Sequence, residues 1–596
     1  MTKMTAAQVV ATFLKKMGTE RYYFYNGHSN WGLLDALEYD AELKGIRSRH
    51  EVQAVHAADM DWRLRRHGPI PVTCTTVGPG NFNTIPGIAE AFYDSTPMLC
   101  LMGGGPTKWH GRGGIQEVYR YGDDEFVQML RPITKMAVMT IRPDTVLDTL
   151  IRAYKTAITG RPGPVVMYMP LDVQNTEVDV NITEYHVRQV QVAKPAPDPS
   201  ALREAVALIG EAERPVVYCS SGVHNSRAWG ELLAFSEKTG IPVATTFGGK
   251  GSIPENHPLS LGVSNRSGTG QAVNATNNAD LIIGVGVRFN DLNTAGWNFF
   301  DIPNTQKLIH IDIDPAEIGR IYSADVAIVS DAGLGLRGLI ETLDTEGVVS
   351  KDYSEWLGQI ETWRREWNQE VEPLVTSDIA PMEYARIVKD ASDVINDFNP
   401  MTSITSDAGF IMNYIPAFYE LRHPYIGHNT QQFGQMGFTP PALIANSLAR
   451  PEHPMVSFCG DQAYLHCATA LATCTEYGFS GVIVVFDNKT IQAEVEGARR
   501  RFGRGVGDHY RIEKTGEPWN PDLDRLGEAM GARVWRVSKP DDFKPALKKA
   551  LESGALCQIN VDSATDVTRY AVPAVVKEGT IPFPYDWSDL TPLMGR

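Results

Sequence analysis

Long hydrophobic runs are missing: no uninterrupted apolar stretch of the 596-residue chain approaches the ~20 residues that a membrane-crossing helix needs. Excess positive charge is missing too, with 55 Lys+Arg against 71 Asp+Glu and a formal charge of −16. An acidic chain without a Lys/Arg-dense tract repels phosphate backbones and anionic lipid heads, so neither nucleic acid nor a membrane is an expected partner. The N-terminal MTKMTAAQVVATFLKKMG has lysines on both sides of a broken apolar stretch and reads as a folded amphipathic helix, not a targeting segment. Cysteine is scarce. Cys74, Cys100, Cys219, Cys459, Cys467, Cys474 and Cys557 are scattered without CxxC spacing, which excludes a disulfide framework and a cysteine metal site. They are expected as buried thiols of a reduced, cytoplasmic protein. Short internal repeats and low-complexity tracts are also absent.

What is present is alternation. β-Branched runs such as PVVMYMP, RPVVYCS, ADLIIGVGVRF, KLIHIDID and GVIVVFDN are separated by longer helical patterns. Apolar runs without strict alternation suit strands buried on both faces of a parallel sheet, so the fold class is α/β with doubly wound sheets. A Pro-rich linker, VAKPAPDPSALREAV, and a polar helix followed by a turn within 345–380 divide the chain. The expected domains are 1–186, 190–345 and 375–565. Residues 566–596, rich in Pro and aromatics, are expected to pack over the protein as a strap or lid.

In the third unit, one strand ends at Gly460-Asp461 and the next at Asp487-Asn488. Both ends emerge on the carboxyl edge of a parallel sheet, the usual ligand side. Asp461 and Asn488 there offer two oxygen donors to one hard cation such as Mg²⁺, with a diphosphate completing its shell beside a helix N-terminus. The alternative is an ordinary helix cap and a turn residue. In the first unit, Glu51 stands between a strand and a helix whose apolar face carries Val52, Val55, Ala58 and Trp62, and an acid there also stabilises the helix dipole. A strand then runs into Gly78-Pro79-Gly80, where glycines permit close backbone approach.

Together these segments resemble the thiamine-diphosphate (ThDP) enzymes, in the branch of acetohydroxyacid synthase, pyruvate oxidase and the 2-hydroxyacyl-CoA lyases. RHEVQAVHAADM, GPGNFNTIPGIAEAFYDSTP, RPITKMAV, RPGPVVMYMPLDVQ, GVGVRFNDLN, LIHIDIDPAEIG, GQMGFTPPALIA and GDQ…DNKT carry the resemblance in order along nearly the whole chain. It implies pyrimidine-binding, central and diphosphate-binding domains, ThDP and Mg²⁺ as cofactors, and a site completed across the interface of a dimer or tetramer. It assigns Glu51 to cofactor activation and Met436 to supporting the bent cofactor. Asp461, Asn488 and the Thr490 carbonyl become metal ligands, and Gly78, Asn83, Gly434, Gly460 and Gln462 line the cofactor. The implied chemistry is carbon–carbon lysis or ligation on a small 2-keto acid or 2-hydroxyacyl substrate, possibly a CoA thioester, through the cofactor's ylid.

The departures bear on substrate. Gln462 replaces the glycine that usually follows the metal aspartate. The tryptophan that acetohydroxyacid synthases carry nine residues beyond the metal asparagine is Gly497 here, which places a lyase ahead of an acetolactate synthase or an oxidase in this reading. His28, Gln116 and Gln492 are expected around the reacting carbon; Gln492 cannot titrate and would orient a hydroxyl or water. The central domain resembles one that holds FAD, ADP or CoA, but after Arg288 the arginine-rich continuation is replaced by Leu292-Asn293-Thr294-Ala295. A catalytically dead subunit of the same fold is the reading from another class, and the retained Glu51, Asp461 and Asn488 argue against it.

Overall fold

The β-branched runs form strands because each is apolar on both faces: Pro164–Pro170, Pro215–Cys219, Leu281–Val285 and Gly481–Asp487 are buried at every residue. The computed structural model describes residues 2–118, 122, 124–348, 351–424, 426–430, 432–507 and 510–565. The expected strap, 566–596, lies outside the described residues.

Three six-stranded sheets, each parallel throughout, form three α/β units in succession. The first is ordered Lys44–Arg47, Arg21–Phe24, Val72–Thr75, Met98–Gly104, Pro164–Pro170, Met136–Met139. The third repeats that topology with Gly427–Asn429, Ser403–Ser406, Met455–Gly460, Gly481–Asp487, Leu556–Asp562 and Arg533–Val537. The middle sheet runs Ser260–Val263, Val243–Thr245, Pro215–Cys219, Leu281–Val285, Lys307–Asp312, Val326–Val329. In doubly wound sheets ligands bind outside the strand carboxyl ends where the winding reverses, so each unit has one such crevice.

The N-terminal segment is not helical from its start. Thr2–Thr5 pairs antiparallel with Glu177–Val180, and the helix Ala6–Lys16 begins after Thr5, which with Gln8 forms a reciprocal capping box. Nothing local encodes that strand, whose partner lies far along the chain. The polar helix expected near the second break spans Ser354–Val375 and buries a stripe of Trp356, Ile360, Trp367 and Val371. All seven cysteines are free and buried. No helix among the described residues is long and apolar enough to cross a membrane.

The helix Glu51–Arg65 corrects the expectation of a single apolar face, because it is buried nearly all round. It lies between its own sheet and the helix Thr439–Ala449 of the third unit, and one continuous core joins Val55, Ala58, Ile88 and Phe126 to Phe438, Leu443, Tyr464 and Ile483. Polar side chains on such a helix must be paired internally. Arg63 donates to both oxygens of Asp59 at 2.7 and 2.8 Å, pairs with Asp94 at 3.0 Å and reaches the Asn429 carbonyl at 2.8 Å. Its guanidinium also stacks 4.8 Å from the Phe438 ring centroid. Arg63→Ala strands three buried carboxylates at the seam, Asp59, Asp94 and Glu90, and urea unfolding is expected to show a loss of about 3–5 kcal/mol.

Candidate active site

The carboxyl edge of the first sheet gathers most of the residues expected there. Glu51 opens its helix and is 7% exposed. Its Oε2 accepts Asn83 Nδ2 at 3.0 Å, and a Cβ on Gly80 would lie 3.3 Å from its Oε1. Asn83, expected to line the cofactor, therefore orients Glu51. Gly78 has φ +64°, and a side chain there would meet the Gln116 carbonyl at 2.6 Å. Only glycine lets the two segments approach so closely. Gln116 itself has φ +61°, an uncommon conformation for a residue with a side chain, and that side chain is exposed. The neighbouring Glu117 fills the space beside Gly105, and burial pushes its carboxyl up to about 7. His28 joins the group through Ser29, whose Oγ meets Thr76 Oγ1 at 3.0 Å and accepts the Val77 N–H at 2.8 Å. His28 Nε2 is buried without a hydrogen-bond partner.

On the third sheet, Gly460 pairs in register with Phe486, so the ends carrying Asp461 and Asn488 are neighbours. Asp461 is 1% exposed. It is no simple helix cap: Gly460 holds the cap position, while Asp461 accepts the Gln462 N–H at 2.8 Å, the Lys489 N–H at 2.7 Å and Asn520 Nδ2 at 2.6 Å. Lys489 takes φ +58° to turn its N–H back across the strand ends. Asn488 Nδ2 donates to Tyr384 Oη at 2.9 Å and its Oδ1 accepts the Thr490 N–H at 3.1 Å, which fixes the amide's orientation. The Gln462 side chain is held at the same edge, its Nε2 donating to Asn520 Oδ1 at 3.0 Å.

These donors fit a hard cation. Burial is the main reason the Asp461 carboxyl is pushed up to about 6, so an adjacent positive charge is needed to keep it ionised at minimal cost. Among the described residues no group of three or more His, Cys, Asp or Glu is arranged to hold a metal. A cation at Asp461 would draw the rest of its shell from neighbouring oxygens, water and a bound ligand, as Mg²⁺ with a diphosphate does. Gln492 lies close by in sequence, 3% exposed, with neither amide atom hydrogen-bonded. Leaving a buried amide unsatisfied is costly, and a substrate oxygen is the partner its position suggests.

Gly434 (φ +69°) and Gly437 (φ +89°) flank Met436, which packs against the shared core. Among the described residues no hydrogen bond or ion pair joins the Glu51 group to the Asp461 group within one chain. Asn520 and Tyr384 were not singled out in the sequence. They lie in a loop and at a helix start with no motif of their own, and only the folded sheet edge brings them to Asp461 and Asn488.

The middle crevice is a cavity of about 680 Å³ between the first and middle units. Its floor is the contact of Gly222 with Gly286, where a Cβ on either would lie 2.5 Å from the other's Cα. Gly286, at φ +56°, follows one of the two strands at the reversal point. Arg66 and Arg288 line it, and burial pushes them down to about 9 and about 10. Asp312, Glu317 and Asp331 share the lining, but desolvation outweighs the neighbouring carboxylates at both arginines, and desolvated cations favour an anionic ligand.

Three family models match in order: "Thiamine pyrophosphate enzyme, N-terminal TPP binding domain" over residues 4–125, the central domain over 202–339 and the C-terminal TPP binding domain over 407–561. The chain is similar to a "Probable acetolactate synthase large subunit" of Methanocaldococcus jannaschii, 35% identical over 94% of this chain and 92% of that protein. It is 31% identical to the "Acetolactate synthase large subunit" of Corynebacterium glutamicum over 92% of this chain and 85% of that one. With "Acetolactate synthase 2, chloroplastic" of Nicotiana tabacum it shares 29% over 92% of this chain and 80% of the other.

Proposed function

The chain belongs to the thiamine pyrophosphate enzyme family, and from that we propose that it is a Mg²⁺- and ThDP-dependent carboligase that joins small 2-keto acids in the manner of acetolactate synthase. The observation that carries this reading is near-full-length similarity to acetolactate synthases in a chain that keeps the Asp461–Asn488–Thr490 oxygen donors at one sheet edge. The similarity favours the carboligase over the lyase that the absent tryptophan had put first. The tryptophan's absence then concerns which acceptor is chosen.

Bound ThDP supplies an electron sink for bonds next to a carbonyl. Asp461, Asn488 Oδ1 and the Thr490 carbonyl are the oxygens that would hold the cation accompanying its diphosphate. Glu51, oriented by Asn83, is the carboxyl that would hold a proton toward the pyrimidine of a bound cofactor. His28 Nε2, Gln116 and the unpaired Gln492 amide orient the keto acid's oxygens. The exposed Trp31 (60%), three residues after His28, and Ile115 (71%), directly before Gln116, are large apolar side chains near polar site residues, which suits burial by a second copy. That copy's third unit would complete the site in a dimer or tetramer.

Pyruvate, ThDP and Mg²⁺ together are expected to yield an acetolactate-type product, detected by mass spectrometry and lost when either cofactor is omitted. No consumption of pyruvate, with cleavage of a 2-hydroxyacyl-CoA instead, would move the protein to the lyases. The middle cavity is read as a nucleotide diphosphate site whose occupant is FAD, ADP or CoA. Thermal-shift measurements are expected to show stabilisation by at least one of the three, abolished in Arg288→Ala; no shift with any would exclude the site.

A further inference from the structure

Met436 is the side chain assigned to support the cofactor, yet the hydrogen bond its own segment gives it is to the backbone, from Gln435 Nε2 to the Met436 carbonyl at 3.0 Å. It is unbranched and flexible, and glycines at positive φ, Gly434 and Gly437, stand on either side. The rigidity comes from two fully buried carboxylates on different units. Glu90, on the first-unit helix Ile85–Tyr93, accepts the Gln435 N–H on Oε2 at 3.0 Å. Asp407, directly after the third-unit strand Ser403–Ser406, accepts the Gly437 N–H on Oδ1 at 2.9 Å, and its Oδ2 takes the Thr439 N–H and hydroxyl at 3.1 and 3.0 Å.

We infer that Glu90 and Asp407 are positioning residues that clamp Met436 from both sides, so that cofactor geometry depends on the first and third units of the same chain being docked. The clamp is a pair of accepted backbone N–H groups one residue either side of Met436, not a charge on the cofactor. Glu90 faces Arg63, at 3.7 Å from Nη2, with Asp94 and Asp59 sharing the same guanidinium. Burial and the neighbouring Asp94 hold the Glu90 carboxyl well above the usual carboxylate range, so a neutral amide oxygen is a close substitute for it. Misplacement of a supporting group by ~1 Å can cost on the order of 10²-fold in rate, which gives such a clamp leverage on catalysis without touching substrate.

The effect on the cofactor rests on the family-based reading above, whereas the clamp itself is testable without cofactor. In the cofactor-free protein, hydrogen–deuterium exchange of the amides at 434–437 is expected to accelerate at least about tenfold in Glu90→Ala and to stay at the wild-type rate in Glu90→Gln. In the loaded protein, exchange of the ThDP C2 proton is expected to slow at least about tenfold in Glu90→Ala and Asp407→Asn. Affinity for Mg²⁺–ThDP should change less than about threefold, because the diphosphate is anchored elsewhere, and Glu90→Gln should behave as wild type. Wild-type amide protection in Glu90→Ala, or equal damage in Glu90→Gln, would overturn the proposal. Should Glu90→Ala fail to fold, Asp407→Asn and Glu90→Gln decide: both Asp407 oxygens accept N–H groups, an amide keeps only one acceptor, and unchanged protection of both Gly437 and Thr439 in the former would be fatal. Absence of C2 exchange in the wild type would instead refute the cofactor reading and leave the amide result standing.

Discussion

Glu51→Gln is expected to lower turnover by about 10²–10⁴-fold, the range supplied by a positioned proton-transfer group, while ThDP still binds. The amide keeps the shape of the carboxylate and its oxygen can still accept from Asn83, so the helix start and the glycine turn should be undisturbed. What is lost is the group that exchanges a proton with the pyrimidine. On the proposed assignment, cofactor affinity would reside mainly at the third sheet edge, around Asp461 and Asn488, and not at Glu51. Steady-state kinetics with a parallel ThDP titration separate the two. Near-normal kcat in Glu51→Gln would sink the assigned role, and loss of ThDP binding with turnover would make Glu51 a binding residue.

Asp461→Ala should fail at the opposite end, with Mg²⁺–ThDP affinity reduced by on the order of 10²-fold or more. The carboxylate is the acceptor that holds Lys489 N–H and Asn520 in place, and on the proposed assignment it would also be the charge that attracts the cation. Asn520→Ala, which removes only the side chain bracing it, is expected to cost about tenfold. A pH dependence accompanies this. The Asp461 carboxyl is pushed up to about 6 by burial, and proton and cation compete for the same oxygens. Metal affinity is therefore expected to be full above about pH 6 and to fall about tenfold per pH unit below it. Calorimetric titration with Mg²⁺ and ThDP at several pH values checks this, and a flat profile would place the metal elsewhere.

Much of this site was legible before folding because motifs are local. Strand ends reading Gly460-Asp461 and Asp487-Asn488, and a strand running into Gly78-Pro79-Gly80, place donors and close-approach glycines on a predictable edge of a parallel sheet. The three-sheet α/β architecture was legible for the same reason, since strands buried on both faces must be continuously apolar. The helix Glu51–Arg65 was misjudged as one-faced because its second apolar contact belongs to Thr439–Ala449, nearly four hundred residues downstream. No window on the sequence contains both. The strand Thr2–Thr5 escaped detection likewise, its partner being Glu177–Val180.

By itself the sequence determined the fold class and the order of the units and nominated the candidate donors, because each depends on periodicity or on residues adjacent along the chain. The tertiary structure alone decided that Asn520 braces Asp461, that Tyr384 orients Asn488, and that Glu90 and Asp407 grip the two sides of Met436. These are contacts between residues distant in sequence. Their energies come from burying polar groups that can be satisfied in only one arrangement of the packed units, and that arrangement exists only once the chain has folded.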